Sequence, residues 1–109
     1  MAAFIFDIDG TLVKYHTNEW LPGAKEMLVR LFCDGNQLIF TTMRGSHDAG
    51  KEWSVENTNI LLESLMQEFQ LKFRVLYGVA GGRTLVDDDK RSRFVHHSQN
   101  KSWDEKDLG

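Results

Sequence analysis

The stretch Phe4–Leu12, FIFDIDGTL, constrains the fold of this chain more than any other segment. Its first residues, Phe4–Phe6, form an uninterrupted apolar run, which is typical of a strand buried on both faces of a parallel sheet. Asp7 and Asp9 follow the run, and ligands bind beyond the carboxyl ends of such strands. Gly10 allows the chain to turn sharply with a positive φ. The stretch therefore predicts an open α/β sheet with two carboxylates at its functional edge.

Two carboxylates one residue apart repel each other, and each raises the pKa of the other unless a cation lies between them. Mg²⁺ is the natural cation, since it prefers oxygen ligands at about 2.0–2.1 Å. The hydroxyl of Thr11 can bind the backbone of the turn that follows. Asp7 and Asp9 could also be ordinary turn residues after a strand. The apolar strand, the Gly-Thr pair and a similar pattern further along the chain favour the metal site.

The composition sets the class of protein. A chain of 109 residues with 41% hydrophobic and 27% charged residues is typical of one soluble globular domain. The net charge of −3 argues against a surface coated with nucleic acid but does not exclude a local basic groove. Cys33 is the sole cysteine, which excludes an intrachain disulfide and favours a reducing compartment. The absence of a signal peptide pattern and of a run of about 20 apolar residues predicts a cytoplasmic protein that does not span a membrane.

Alternating strand and helix patterns predict a parallel sheet with crossover helices. One helix is predicted to have Pro22 in its first turn. It is predicted to end at Asp34-Gly35, with Gly35 as a left-handed cap. A polar loop over Ser46–Lys51 and a longer helix over about Trp53–Gln70 come next. The remaining predicted elements are strands at Leu38–Phe40, Phe73–Tyr77 and Thr84–Val86, a short strand at Phe94–Val95, and a polar tail from about residue 98 that is loosely ordered over Lys101–Gly109.

Polar groups follow the second predicted strand as well. Thr41 and Thr42 are succeeded by Met43 and Arg44, and hydroxyls with the backbone N–H groups after them can hold phosphate oxygens. Arg44 can add a charged fork. Two threonines at a strand end are also explained by their preference for strands. Beside the first strand we favour a phosphate role for Thr42, with Thr41, Met43 and Arg44 as further substrate-binding residues.

A second acidic cluster, Asp87-Asp88-Asp89, follows the predicted strand Thr84–Val86. It can supply the third carboxylate that an octahedral Mg²⁺ site would take. The alternative is a solvated acidic turn. The apolar residues before the cluster favour Asp87 and Asp88 over Asp89 as the residues closest to the metal.

These motifs together resemble the haloacid dehalogenase superfamily of phosphohydrolases. The first stretch resembles the first motif of that family, Ile39–Arg44 is similar to the second, and Leu85–Asp88 resembles the fourth. Leu21–Glu26 is similar to the start of the first helix in many of its phosphatases. The resemblance covers residues 3–93 and implies a three-layer Rossmann-like parallel sheet with flanking helices, in a single phosphatase domain over residues 1–109.

The resemblance also implies roles for individual residues. Asp7 would be the nucleophile that attacks phosphorus, and Asp9 would protonate the leaving group and then activate water. Mg²⁺ would be held by Asp7, the backbone carbonyl of Asp9 and Asp88, with Asp87 beside them. Thr42 would bind the transferring phosphoryl group. A cation is required because an anionic nucleophile must approach an anionic phosphate, and a covalent intermediate divides one difficult step into two easier ones.

The chain departs from the family pattern at the third motif, which is a lysine or arginine near the phosphate. No lysine lies between Tyr77 and Asp87, so Arg83 is our choice, ahead of Lys72 and Lys90. The gaps between motifs hold no cap domain. Within the family this implies an open cleft for a large substrate, such as a polynucleotide end or phosphoprotein, or a lid donated by a second subunit.

The function predicted from these observations is Mg²⁺-dependent hydrolysis of a phosphomonoester through an aspartyl-phosphate intermediate. A nucleotide or polynucleotide phosphate is the favoured substrate class. Two alternatives remain open: a non-catalytic module that binds phosphate or metal and regulates a partner, and a phosphotransferase that uses an acceptor other than water.

Overall fold

The computed structural model describes residues 1–45 and 51–108, the latter without the side chains of residues 51–54. Three strands and two helices alternate along these described residues. They are β1 (Ala3–Asp7), α1 (Ala24–Cys33), β2 (Gln37–Thr41), α2 (Lys51–Phe69) and β3 (Phe73–Leu76). The strands form one parallel sheet in the order β1-β2-β3. The α/β class is confirmed, as are both helices and the first three strands. The predicted loop over residues 46–50 lies outside the described residues.

The register of the sheet places the carboxyl ends of the strands side by side. Asp7 on β1 pairs with Thr41 on β2, and Thr41 pairs with Leu76 on β3. Because the strands are parallel, the loops that follow them leave from the same edge. The two polar motifs that follow β1 and β2 are therefore neighbours in space.

The two faces of the sheet differ in burial. Phe6 and Phe40 lie in the hydrophobic core at 5% and 0% exposure, whereas Ile5 and Leu76 are each 52% exposed. The prediction that Phe4–Phe6 is buried on both faces is therefore wrong. Right-handed crossovers in the order β1-β2-β3 carry α1 and α2 to the same face of the sheet. In the described residues, helices cover one face of the sheet and the other face is largely exposed. The third layer of the predicted three-layer fold is not seen in this part of the chain.

The ends of α1 follow simple backbone rules. Gly23 is its N-cap with φ 82°, so Pro22 precedes the helix instead of lying in its first turn as predicted. The helix ends before Gly35, which has φ 86°, and the backbone N–H of Asn36 donates to the carbonyl of Leu31. The left-handed glycine cap predicted at Gly35 is confirmed.

The predicted fourth strand is wrong. Thr84–Val86 has no regular secondary structure, and Leu85 and Val86 are 57% and 90% exposed. The short strand predicted at Phe94–Val95 is also absent, and Phe94 is 82% exposed. Each segment contributes only two apolar residues, which is too little buried surface to fix a strand against the sheet.

The C-terminal tail contacts the core through Trp103, whereas the prediction of a loosely ordered Lys101–Gly109 stays a prediction for the other residues of that segment. Trp103 is only 9% exposed and meets the Phe6 ring edge-on with 6.1 Å between centroids. Its indole Nε1–H donates to the carbonyl of Thr11 at 2.7 Å, and its backbone N–H donates to the carbonyl of Pro22 at 2.8 Å. The tail therefore braces the turn that follows β1. Over the described residues, neither helix is long and apolar enough to cross a membrane.

Candidate active site

The turn after β1 is held by its own backbone. The N–H groups of Leu12 and Val13 both donate to the carbonyl of Ile8, at 2.9 and 3.2 Å, and the N–H of Gly10 donates to the carbonyl of Val13 at 2.8 Å. Gly10 has the positive φ that the sequence predicted, 80°. This compact turn fixes the backbone on both sides of Asp9 and leaves Asp7 at the edge of the sheet.

Asp7 lies between a cation and a hydroxyl. The Nη1 atom of Arg83 is 3.3 Å from its Oδ1, and the hydroxyl of Thr11 donates to its Oδ2 at 3.2 Å. Burial raises the pKa of Asp7 above its ordinary value of 3.8, although the positive charge of Arg83 and the hydrogen bond from Thr11 act in the opposite direction. The Asp7 side chain is 35% exposed, so a ligand can reach it.

Arg83 reaches Asp7 because the loop after β3 is attached to the end of β2. The N–H of Thr42 donates to the carbonyl of Leu76, and the N–H of Val79 donates to the carbonyl of Thr42 at 2.8 Å. The Nη2 of Arg83 makes a long contact of 3.4 Å with the carbonyl of Val79. The sequence predicts Arg83 as the third-motif cation because no lysine lies between Tyr77 and Asp87, and in the structure Arg83 contacts Asp7.

Asp9 is held by a bidentate pair. Nε of Arg44 donates to Oδ2 of Asp9 at 2.9 Å, and Nη2 donates to Oδ1 at 2.8 Å. The Arg44 and Asp9 side chains are 10% and 22% exposed. The two parallel bonds match the planar fork of a guanidinium to a carboxylate, which fixes orientation as well as distance.

The other donors of Arg44 bind the surroundings. Nη1 donates to Oδ1 of Asn18 at 2.9 Å and to the hydroxyl of Thr58 at 3.1 Å, and Nη2 also donates to the carbonyl of Thr17 at 2.9 Å. A substrate-binding role for Arg44 would require it to release some of these bonds, and that role stays a prediction. Sequence reasoning missed Asn18 and Thr58, because neither belongs to a motif and both are distant in sequence from Arg44.

Thr42 is fully buried, and its hydroxyl accepts a hydrogen bond from the backbone N–H of Arg44 at 3.0 Å. A hydroxyl has one donor and two acceptor positions, so its proton remains to be donated. Thr41 is 9% exposed, whereas Met43 is 55% exposed at the same edge. The phosphate role of Thr42 and the substrate contacts of Thr41 and Met43 stay predictions.

The second acidic cluster is not assembled with the first into a metal site. In residues 1–45 and 51–108, no group of three His, Cys, Asp or Glu side chains is arranged to hold a metal ion. Asp87 lies on the exposed segment after Arg83, where it accepts hydrogen bonds from the hydroxyl of Ser92 and the N–H of Asp89 at 2.8 and 3.2 Å. These bonds lower the pKa of Asp87. The metal-binding roles of Asp87 and Asp88 stay predictions.

The poorer third-motif candidates lie elsewhere. Lys72 and Lys90 are both exposed, and within the described residues neither forms an ion pair with Asp7. The described geometry thus favours Arg83 as the cation beside Asp7.

Comparisons with known proteins give no relative that could assign a role to this geometry. No protein-family model, curated protein sequence or solved structure matches the chain.

Proposed function

We propose that this protein hydrolyses phosphomonoesters through a covalent aspartyl-phosphate on Asp7. The observation that carries the proposal is the pairing of two carboxylates with two arginines at one sheet edge. Asp7 is accessible and lies 3.3 Å from Arg83, while Asp9 is held by both sides of the Arg44 fork. One carboxylate is thus available for attack beside a cation, and the second has a fixed orientation two residues away.

The residues support a balanced two-step reaction. An oxygen of Asp7 attacks phosphorus, the bond from phosphorus to the leaving oxygen breaks, and Asp9 in its acid form gives its proton to that oxygen. Water then attacks the phosphorus of the aspartyl-phosphate and gives a proton to Asp9, the bond from phosphorus to the Asp7 oxygen breaks, and inorganic phosphate leaves while the Asp7 carboxylate is regenerated. The guanidinium of Arg83 offsets the negative charge that gathers on the phosphoryl oxygens, and such positioned charges supply most of phosphoryl-transfer catalysis.

Mg²⁺ is the cofactor that we propose, with Asp7 and the backbone carbonyl of Asp9 as its protein ligands. It would supply further charge neutralisation at the phosphate. The fit to this structure is incomplete, since the described residues hold no three-carboxylate cluster and Oδ1 of Asp7 contacts Arg83. The reaction steps above therefore involve only the side chains.

The finer features of the fold are proposals too. We propose a Rossmann-like domain without a cap, because in the described part of the chain one helix connects β1 to β2 and one connects β2 to β3. The exposed edge at Asp7 and Met43 suits a large phosphoester, such as a nucleotide or a polynucleotide end, in a cytoplasmic protein. A lid from a second subunit remains part of this proposal.

A panel of phosphorylated metabolites and of oligonucleotides phosphorylated at the 3′ or 5′ end, assayed with Mg²⁺, tests the proposal. We expect release of inorganic phosphate that Asp7→Asn abolishes. Asp34→Asn is the matched control, since Asp34 is exposed at the end of α1, and it should keep full activity. Full activity of Asp7→Asn would reject Asp7 as the nucleophile.

The same panel separates the alternatives. Mg²⁺-dependent binding without turnover of any compound would favour a non-catalytic binding module. Transfer of phosphate to an added alcohol or sugar would favour a phosphotransferase, whereas free phosphate as the sole product would support hydrolysis.

A further inference from the structure

The guanidinium of Arg44 has all its donors engaged. Arginine has five N–H groups, and here they meet five acceptors on four residues: both oxygens of Asp9, the carbonyl of Thr17, Oδ1 of Asn18 and the hydroxyl of Thr58. The side chain is 10% exposed, so water competes little for these bonds. Two exposed side chains in a surface ion pair are less restricted, because both remain mobile in water and adopt many relative orientations.

We infer that Arg44 is a positioning residue that sets the carboxylate of Asp9 for proton transfer to the leaving group. This inference rests on the proposed phosphomonoesterase function and deepens it. Each oxygen of Asp9 accepts one hydrogen bond from Arg44 and retains a second lone-pair site. Asp9 can therefore keep both bonds to Arg44 while an unused lone-pair position on one oxygen carries the proton that is transferred.

The geometry explains why an arginine is needed at this position. A lysine would keep the charge but offers a single point donor, which cannot hold both oxygens of Asp9 in one plane. Proton transfer depends on a hydrogen-bond distance of about 2.6–3.2 Å between the acid and the leaving oxygen. A carboxylate that can rotate meets this condition less often.

The network also connects Asp9 to two other parts of the chain. Thr17 and Asn18 belong to the connector between the first turn and α1, and Asn18 in turn donates from Nδ2 to the carbonyl of Asn57 at 3.0 Å. Thr58 is a fully buried residue of α2. Changes at Asn18 or Thr58 should therefore affect Asp9 in the same direction as a change at Arg44, and more weakly.

The test compares two substrates that differ in their need for an acid. The leaving group of p-nitrophenyl phosphate departs readily as an anion, whereas that of glycerol 2-phosphate needs a proton. The value of kcat/KM reports the steps up to formation of the aspartyl-phosphate, so it is insensitive to the later attack of water. For Arg44→Lys we expect kcat/KM on glycerol 2-phosphate to fall about 100-fold, within the range for a general acid, and on p-nitrophenyl phosphate by less than about fivefold.

Three further variants complete the design. In Asp9→Asn, kcat/KM should likewise fall more on glycerol 2-phosphate than on p-nitrophenyl phosphate. Arg30→Lys is the matched control, because Arg30 also donates to backbone carbonyls, those of Glu105 and Asp107, but in the tail contact. It should leave both kcat/KM values unchanged. Thr58→Val removes the acceptor of one Nη1 bond of Arg44 and leaves Arg44 itself in place. If Arg44→Lys folds poorly, Thr58→Val should still shift the ratio of the two kcat/KM values in the same direction.

The outcomes are distinct. A selective loss on glycerol 2-phosphate in Arg44→Lys and Asp9→Asn supports the inference. Equal losses on both substrates, or a selective loss in Asp9→Asn without one in Arg44→Lys and Thr58→Val, overturn it while the phosphatase function stands. A wild-type protein that hydrolyses neither substrate, nor any member of the wider panel, overturns the proposed function and the inference with it.

Discussion

Replacing Trp103 with alanine should destabilise the protein strongly, although this residue lies near the end of the chain. The indole is 9% exposed, packs edge-on against Phe6 and stacks on His97 with 4.0 Å between ring centroids. Its Nε1–H is also bonded to the carbonyl of Thr11. A buried tryptophan replaced by alanine costs about 3–5 kcal/mol. Against a typical total stability of about 5–15 kcal/mol, this is a substantial share.

A second variant divides that loss into its parts. Trp103→Phe keeps an aromatic ring against Phe6 but removes the donor to Thr11, so about 1–3 kcal/mol should be lost. For a domain of this size, about 1 kcal/mol shifts the melting temperature by about 4 °C. We therefore expect the melting temperature to fall by about 12–20 °C in Trp103→Ala and by about 4–12 °C in Trp103→Phe.

Urea unfolding followed by far-ultraviolet circular dichroism measures these differences. Phe94→Ala is the matched control, because Phe94 is an aromatic residue of the same C-terminal region but is 82% exposed. Its unfolding free energy should change by less than about 0.5 kcal/mol. A loss in Trp103→Ala as small as that of the control would refute the packing of the tail on the core.

Three further predictions concern the site. Because burial raises the pKa of Asp7, the protonated side chain stabilises the folded state below about pH 3.8, and this contribution is lost as the pH rises through the folded-state pKa. In the presence of a chelator, Asp7→Asn should therefore have a higher melting temperature than wild type at pH 7. The difference in melting temperature should shrink towards pH 4. Arg83→Gln should lower kcat/KM about 100-fold and move the acid limb of its pH profile upward, since the charge that lowers the pKa of Asp7 is lost; Lys90→Gln, at an exposed lysine, should do neither. Chelation of divalent cations should abolish turnover, and added Mg²⁺ should restore it; turnover that persists in chelator would remove the metal from the proposal.

The sequence predicted the secondary-structure elements that depend on neighbouring residues in the chain. The helical spacing of apolar residues placed α1 and α2, and the cap at Gly35 followed from the freedom of glycine at positive φ. The edge that carries Asp7 and Asp9 followed from the topology of parallel sheets.

Features that depend on tertiary contacts were missed. Trp103 is an isolated aromatic residue in a polar stretch, so no period revealed that it packs on Phe6. The bond between Arg44 and Asp9 joins residues 35 positions apart. Ile5 is likewise exposed because the crossover helices cover the opposite face of the sheet. An apolar run of three residues does not indicate which face the helices cover.

The apolar runs before the first two motifs form the strands β1 and β2, but the apolar residues before the fourth motif do not form a strand. Leu85 and Val86 match a motif in type, yet in the structure they are exposed and unpaired in any strand. A match to a motif depends on residue types, whereas a strand forms only where its side chains are buried on one face and its backbone pairs with a neighbouring strand.

The central claim, a phosphorylated Asp7, can be measured directly. Protein quenched during turnover of a phosphomonoester would be reduced with sodium borohydride, which converts an aspartyl-phosphate to the corresponding alcohol, and then digested for mass spectrometry. We predict that the reduced residue is found at Asp7 in wild type and is missing in Asp7→Asn. Turnover without any modification at Asp7, or modification at Asp9 in its place, would contradict the mechanism.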